Sequence, residues 1–139
     1  MKNNRVLENV AEYMSDTEVI TYIRDEHINH HYLESLKQMT LLKDTQIAKL
    51  LNMSLRSFQD YKNHSSKDIP FQSKEILLLL VSFYKHSKEI FRSTEDFNRW
   101  LDTQNVFLDN LKPFDFLNSV SGIRFIDSRL TALEYGDNI

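Results

Sequence analysis

Three histidines follow two carboxylates at residues 25–31, where Asp25 and Glu26 precede His27, His30 and His31. This is the nearest the sequence comes to a set of metal ligands. The spacing does not favour a site. There is no H-E-x-x-H pair, and adjacent His30 and His31 point to different faces of a helix, whereas zinc needs its ligands converging on one point. A polar loop leading into a helix is the better reading. Serines, histidines and paired carboxylates occur elsewhere, but not at the spacing of a nucleophile elbow, a metalloprotease helix or an EF-hand loop. Two glycines in 139 residues leave no material for a phosphate loop or a dinucleotide fingerprint. The lack of cysteine removes thiolate metal sites, cysteine nucleophiles and disulfide scaffolds, and fits a cytoplasmic protein. These residues therefore point away from an enzyme and call for neither metal nor cofactor.

Recognition chemistry is better represented. Over residues 44–63, DTQIAKLLNMSLRSFQDYKN, two short apolar patterns flank a turn. Asp44 is expected to cap a first helix whose face is Ile47, Leu50 and Leu51, with small Ala48 at the crossing. Asn52 can end it in the left-handed conformation. Ser54 is expected to cap a second helix with Leu55, Phe58 and Tyr61 turned inward. Arg56, Gln59, Asp60 and Asn63 then point outward, with Ser57 and Lys62 at the margins. That is the layout of a helix-turn-helix, whose second helix enters the DNA major groove. On this reading Arg56, Gln59 and Asn63 face base edges, Lys49 and Lys62 approach phosphates, and Ser54 and Ser57 lie at the start of the recognition helix. Asp60 would repel phosphate, although a carboxylate can accept from cytosine N4.

The charge distribution agrees with that placement. The net charge is −3. Residues 37–67 carry six basic and two acidic side chains, net +4, whereas residues 1–36 carry three and seven, net −4, and residues 68–139 carry eight and eleven, net −3. The one basic island coincides with the helix-turn-helix, where phosphate contacts need it.

The remaining elements are helical. Hydrophobic content is 41%, charged content 27%, and only two prolines and two glycines occur, which fits a globular, all-α chain without sheet. Ser15 and Glu18 form a capping box before Val19, Ile20 and Ile23, predicting a short helix that ends near Asp25. Residues 1–14 are expected to be frayed or a loosely docked helix, and they lack the apolar core of a signal peptide. Tyr32, Leu33, Leu36 and Met39 predict a helix packed under the helix-turn-helix. Residues 65–70, SSKDIP, form the best linker, and Ser73 is expected to cap the next helix. Residues 76–81 are an unbroken apolar run, far too short to span a membrane and expected to serve as core and dimer interface. Ser93 opens another capped helix carrying Phe97, Trp100 and Leu101, with Trp100 as a core anchor. Pro113 suits the first position of a short helix. Val120, Ile123, Ile126, Leu130 and Leu133 make an amphipathic stripe that Gly136 ends. The organisation expected is an extension at 1–29, a helix-turn-helix region at 30–68 and a C-terminal helical domain at 69–139.

The order of residues in the second half is the most specific signal. It runs Phe91, a capped acidic turn, Trp100-Leu101, Asn105, Leu108, Pro113, Leu117, Gly122, Leu130 and Glu134-Tyr135-Gly136. This resembles the C-terminal toxin-binding domain of the Xre/MbcA/ParS antitoxins, and the helix-turn-helix sits where that family has its Xre-like DNA-binding part. The resemblance covers roughly residues 30–139. Asn52 replaces the family's usual turn glycine.

The resemblance implies an all-α antitoxin of a type II toxin–antitoxin system that neutralises a cognate toxin, usually of the RES type, which acts on NAD. It also implies a homodimer that binds operator DNA to repress its own operon. The toxin contact it implies is the C-terminal segment, Glu134, Tyr135, Gly136, Asp137, Asn138 and Ile139, with Trp100 and Phe107 supporting the last helix from beneath. Deleting residues 134–139 is then expected to leave the fold intact. The competing reading is a stand-alone helix-turn-helix regulator whose C-terminal half serves dimerisation.

Overall fold

The structure, a computed structural model, describes residues 4–64 and 66–136. It is all-α, as the periodicity predicts. The helices are α1 (Asp16–Asp25), α2 (His30–Thr40), α3 (Asp44–Leu50), α4 (Leu55–Asn63), α5 (Phe71–Ser87), α6 (Thr94–Leu101) and α7 (Val120–Glu134). Short 3-10 turns lie at Asn4–Leu7, Val106–Leu108 and Pro113–Phe116. No strand occurs among the described residues, and none of their helices is long and apolar enough to cross a membrane.

Several helix starts lie where the sequence puts them, because a cap is a matter of three or four residues. Ser15 Oγ accepts from the Glu18 amide at 3.2 Å while Glu18 Oε1 accepts from the Ser15 amide at 2.9 Å. Ser93 Oγ accepts from the Asp96 amide at 3.1 Å, and Ser119 Oγ from the Gly122 amide at 2.9 Å. Each cap satisfies an amide that has no partner inside its helix. α5 departs from expectation. It begins at Phe71, after Pro70, so Ser73 lies inside the first turn and is no cap. Ser73 is instead buried and donates to the Leu51 carbonyl at 3.0 Å, tying α5 to the end of α3.

α5 is the axis of the fold. α1, α2, α6 and α7 all pack on it. Residues 76–81 are each 4% exposed or less, enclosed by the chain's own helices. The expected interface role of this run is therefore corrected: it is core and offers no side chain to a second copy. Each such aliphatic side chain contributes about 1.5–3 kcal/mol through its burial.

The N-terminal segment is neither frayed nor loosely docked over the residues described. Leu7, Val10 and Met14 are 4% exposed or less and join the same core as the helices. Polar groups of α5 and α7 satisfy the segment's irregular backbone. Lys85 Nζ donates to the Leu7 and Val10 carbonyls at 2.6 and 2.5 Å, and Ser82 Oγ to the Ala11 carbonyl at 2.6 Å. Arg124 reaches the Met14 carbonyl at 3.0 Å and Asp16 at 2.7 Å. A buried carbonyl needs such a donor when no helix supplies one.

In the C-terminal region, Phe97 is fully buried among Phe83, Tyr84, Phe91 and Trp100, with centroid distances of 5.0–6.1 Å. Trp100 itself is half-buried against this cluster. Asn98 accepts from the Tyr84 hydroxyl at 2.7 Å and donates to the Thr40 carbonyl at 2.7 Å, so one amide joins α5, α6 and the end of α2. Pro113 opens its 3-10 turn as expected. That turn lies so close to the first turn of α7 that a Cβ on Gly122 would fall on the Phe116 carbonyl oxygen. Gly122 is thus required for a backbone approach that its helical position does not reveal.

Candidate nucleic-acid and partner surfaces

The unit of α3, turn and α4 is built locally. α3 ends in a Schellman motif: the Met53 amide donates to the Ala48 carbonyl at 3.0 Å and the Asn52 amide to the Lys49 carbonyl at 3.1 Å. Asn52 is left-handed, with φ 58°, as the turn demands. Its side chain does more than tolerate that conformation. Asn52 Nδ2 donates to the Asn118 carbonyl at 2.8 Å, linking this turn to the approach to α7. Ser54 caps α4 by accepting from the Ser57 amide at 3.0 Å, and Phe58 is fully buried beneath α4.

Three side chains of this region differ from expectation. Asp44 is not the cap of α3; Lys43 holds that position, and Gln46 Oε1 accepts from the Lys43 amide at 2.8 Å. The Asp44 carboxylate pairs with Lys37 at 2.6 Å and Lys62 at 3.0 Å. The hydrogen bond from Lys37, reinforced by Lys62 against a smaller effect of burial, holds Asp44 below the usual carboxylate range. Lys62 is accordingly drawn inward, 18% exposed and 5.5 Å from the Phe58 ring centroid, rather than extended toward a phosphate. Leu55 is 38% exposed, because the first residue of α4 lies beyond the edge of the core. Lys49, Ser54, Arg56, Gln59 and Asn63 lie exposed, Ser57 is half-buried, and Asp60 has Lys67 at 3.6 Å.

The far end of α7 is held by a residue that the sequence did not bring forward. His86 on α5 is 8% exposed and stands between two carboxylates of α7. Its Nδ1 is 2.7 Å from Asp127 Oδ1 and its Nε2 2.9 Å from Glu134 Oε1. An ionised carboxylate only accepts, so both ring nitrogens must carry a proton to satisfy both contacts. Burial pulls the His86 pKa down, but Asp127 and Glu134 outweigh it and hold it above the ordinary histidine value. A carboxylate pair seven residues apart on α7 is visible in the sequence; its partner 41 and 48 residues away is not.

Glu134 is therefore tied to α5, and deleting residues 134–139 removes that ion pair. Beyond it, Tyr135 is 81% exposed, and Gly136 takes φ 91° while its amide donates to the Leu133 carbonyl at 3.0 Å. Asp137, Asn138 and Ile139 lie outside the described residues. Phe107 does not support α7 from beneath: it is 59% exposed. Among the described residues no cluster of three histidines or carboxylates is placed to hold a metal ion.

Residues 87–136 match the family model of the antitoxin Xre/MbcA/ParS C-terminal toxin-binding domain. The matched stretch takes in α6, the two 3-10 turns that follow it and α7, and it begins one residue after His86. No curated protein matches the chain.

Proposed function

We propose, on the premise that residues 87–136 belong to the Xre/MbcA/ParS antitoxin toxin-binding family, that this chain is the antitoxin of a type II toxin–antitoxin system. It neutralises a cognate RES-type toxin, one that acts on NAD, by laying the C-terminal end from Tyr135 to Ile139 over the toxin's active site. It works in the cytoplasm as a homodimer and represses its own operon through α4. The observation that carries this reading is the family match itself, which runs to Gly136. The geometry supports it: the end of α7 is anchored at Glu134 by His86, and the next side chain, Tyr135, stands in solvent. The end of α7 up to Gly136, held in place before binding, loses little conformational freedom on docking. Tyr135 can stack on an aromatic wall, and the Asp137 carboxylate can accept charge-assisted hydrogen bonds from donors in a cleft built for an anionic substrate.

Operator binding rests on Arg56, Gln59 and Asn63, which share the exposed side of α4, with Lys49 nearby for phosphate. Lys62 is left out of this set because Asp44 occupies it. Any surface for a second copy lies outside residues 76–81.

The test is co-expression with the product of the neighbouring gene. The full chain is expected to copurify with it and protect cells. A chain ending at Glu134, which keeps the His86 pair, is expected to fold and to lose protection. If that shortened chain protects as well as the full one, the tail is not the inhibitory element. If no partner is captured but an operator is bound, the stand-alone regulator is the better description. Arg56→Ala is expected to weaken operator binding by about 1–3 kcal/mol at matched salt.

A further inference from the structure

Half of the large apolar side chains that the described residues leave exposed fall within 87–136, and three of them share one loop. Val106 is 71% exposed, Phe107 59% and Leu111 48%. The loop is closed on itself. Asn105 Oδ1 accepts from the Phe107 amide at 2.8 Å, and the Asn105 amide donates to the Leu111 carbonyl at 3.0 Å. The Asn105 carbonyl accepts from the Leu108 and Asn110 amides, both at 2.9 Å. Asp109 and Asn110 are left-handed, with φ 56° and 64°, which lets the chain reverse in so few residues. Leu108, 5% exposed, pins the loop to the core, and Lys112 pairs with Asp102 at 3.1 Å at its base. Neither Val106 nor Phe107 is needed to hold this geometry, since Leu108 and the backbone do so.

Two bulky apolar side chains held out on a braced backbone have the form of an interface anchor: large contact area, low ordering cost and no polar atom to desolvate. Resting on the antitoxin reading above, we propose that Val106 and Phe107 insert together into an apolar pocket on the cognate toxin, as a contact separate from the C-terminal end. The toxin is the occupant because the loop lies inside the stretch matched to a toxin-binding domain, while most of that stretch's other large apolar residues are turned inward. Nucleic acid is disfavoured by Asp102 and Asp109 in and beside the loop and by the pairing of its one lysine. A second copy is disfavoured by size, since three side chains fall well short of the roughly 800 Å² per partner of a stable interface. Exposed Asp109, next to the anchor, suits a pocket with a basic rim.

The experiment measures affinity for the neighbouring gene's product with four forms of the full system: the wild-type chain, the Val106→Ser/Phe107→Ser variant, Asp109→Lys, and the chain ending at Glu134. The double variant is expected to keep the wild-type circular dichroism, melting temperature and oligomeric state, and to bind at least about tenfold more weakly. Asp109→Lys is expected to lose less, mainly through slower association that high salt levels out. The inference is overturned if the double variant binds within about twofold of wild type while the shortened chain has lost affinity; the C-terminal contact then stands alone. A changed oligomeric state in the double variant with unchanged toxin affinity also overturns it, in favour of a contact between copies. If the wild-type chain does not bind the neighbouring product at all, the antitoxin reading and this inference fall together.

Discussion

Residues 76–81 and residues 106–111 are both short stretches rich in apolar side chains, and they end at opposite extremes of exposure. Every residue of the first is 4% exposed or less, whereas Val106, Phe107 and Leu111 of the second are about half exposed or more. Composition points the other way, since an unbroken run of six aliphatic residues invites a partner and a lone phenylalanine invites a place under a helix. The difference lies in how many elements surround each. α5 has α1, α2, α6 and α7 packed on it, so even a helix apolar on every side is covered. The loop after α6 has core on one side only, and Leu108 takes that side. Apolar content thus says that a surface must be buried; the number of neighbouring elements says whether this chain or another molecule buries it.

The contrast can be pressed from its strongest consequence downward. Leu78→Ala, at a fully buried position, is expected to destabilise the fold by about 2–5 kcal/mol through lost contacts and a cavity. Urea denaturation measures it, and a loss under about 1 kcal/mol would mean that α5 is not the core. Gly122→Ala is expected to cost about 1–3 kcal/mol, because overpacking against the Phe116 carbonyl outweighs the gain in helix propensity. A rise in melting temperature would show that the turn at Pro113–Phe116 moves aside easily. His86→Gln is expected to cost about 1–2 kcal/mol at pH 6, since glutamine carries both its donors on one nitrogen and cannot donate from two ends as the ring does to Asp127 and Glu134. Phe107→Ser is expected to change stability by no more than about 0.5 kcal/mol. A larger loss by thermal denaturation would return Phe107 to the core.

The His86 pair also makes a pH-dependent difference between the wild type and His86→Gln. The folded-state pKa of His86 is raised above its unfolded value, so the stabilisation is fully present below about pH 6.5 and lost as pH rises through the folded pKa. The stability gap between the two proteins should narrow on going from pH 6 to pH 9. Glu134, the more exposed carboxylate of the two, is the contact expected to loosen first. A gap independent of pH would mean that the ring is held by packing and not by its charge.

What the sequence determined by itself is what nearby residues decide among themselves. The capping serines at 15, 54 and 93, left-handed Asn52, Pro113 at the start of its turn and Gly136 after α7 were all legible, because each acts on the backbone within a few residues of itself. The apolar stripes likewise pointed to an all-α chain, and the order of residues from Phe91 to Gly136 pointed to the toxin-binding family whose model residues 87–136 match. Tertiary structure decided everything that depends on which surfaces meet. Ser73 became a link to Leu51, Asp44 a partner of two lysines and Lys62 an inward cation. His86 became the tie on the last helix, and Phe107 an exposed side chain. Sequence periodicity fixes the direction of a side chain relative to its own helix, but its environment is set by elements dozens of residues away, and a polar side chain takes whichever unsatisfied group the packing brings within hydrogen-bond reach.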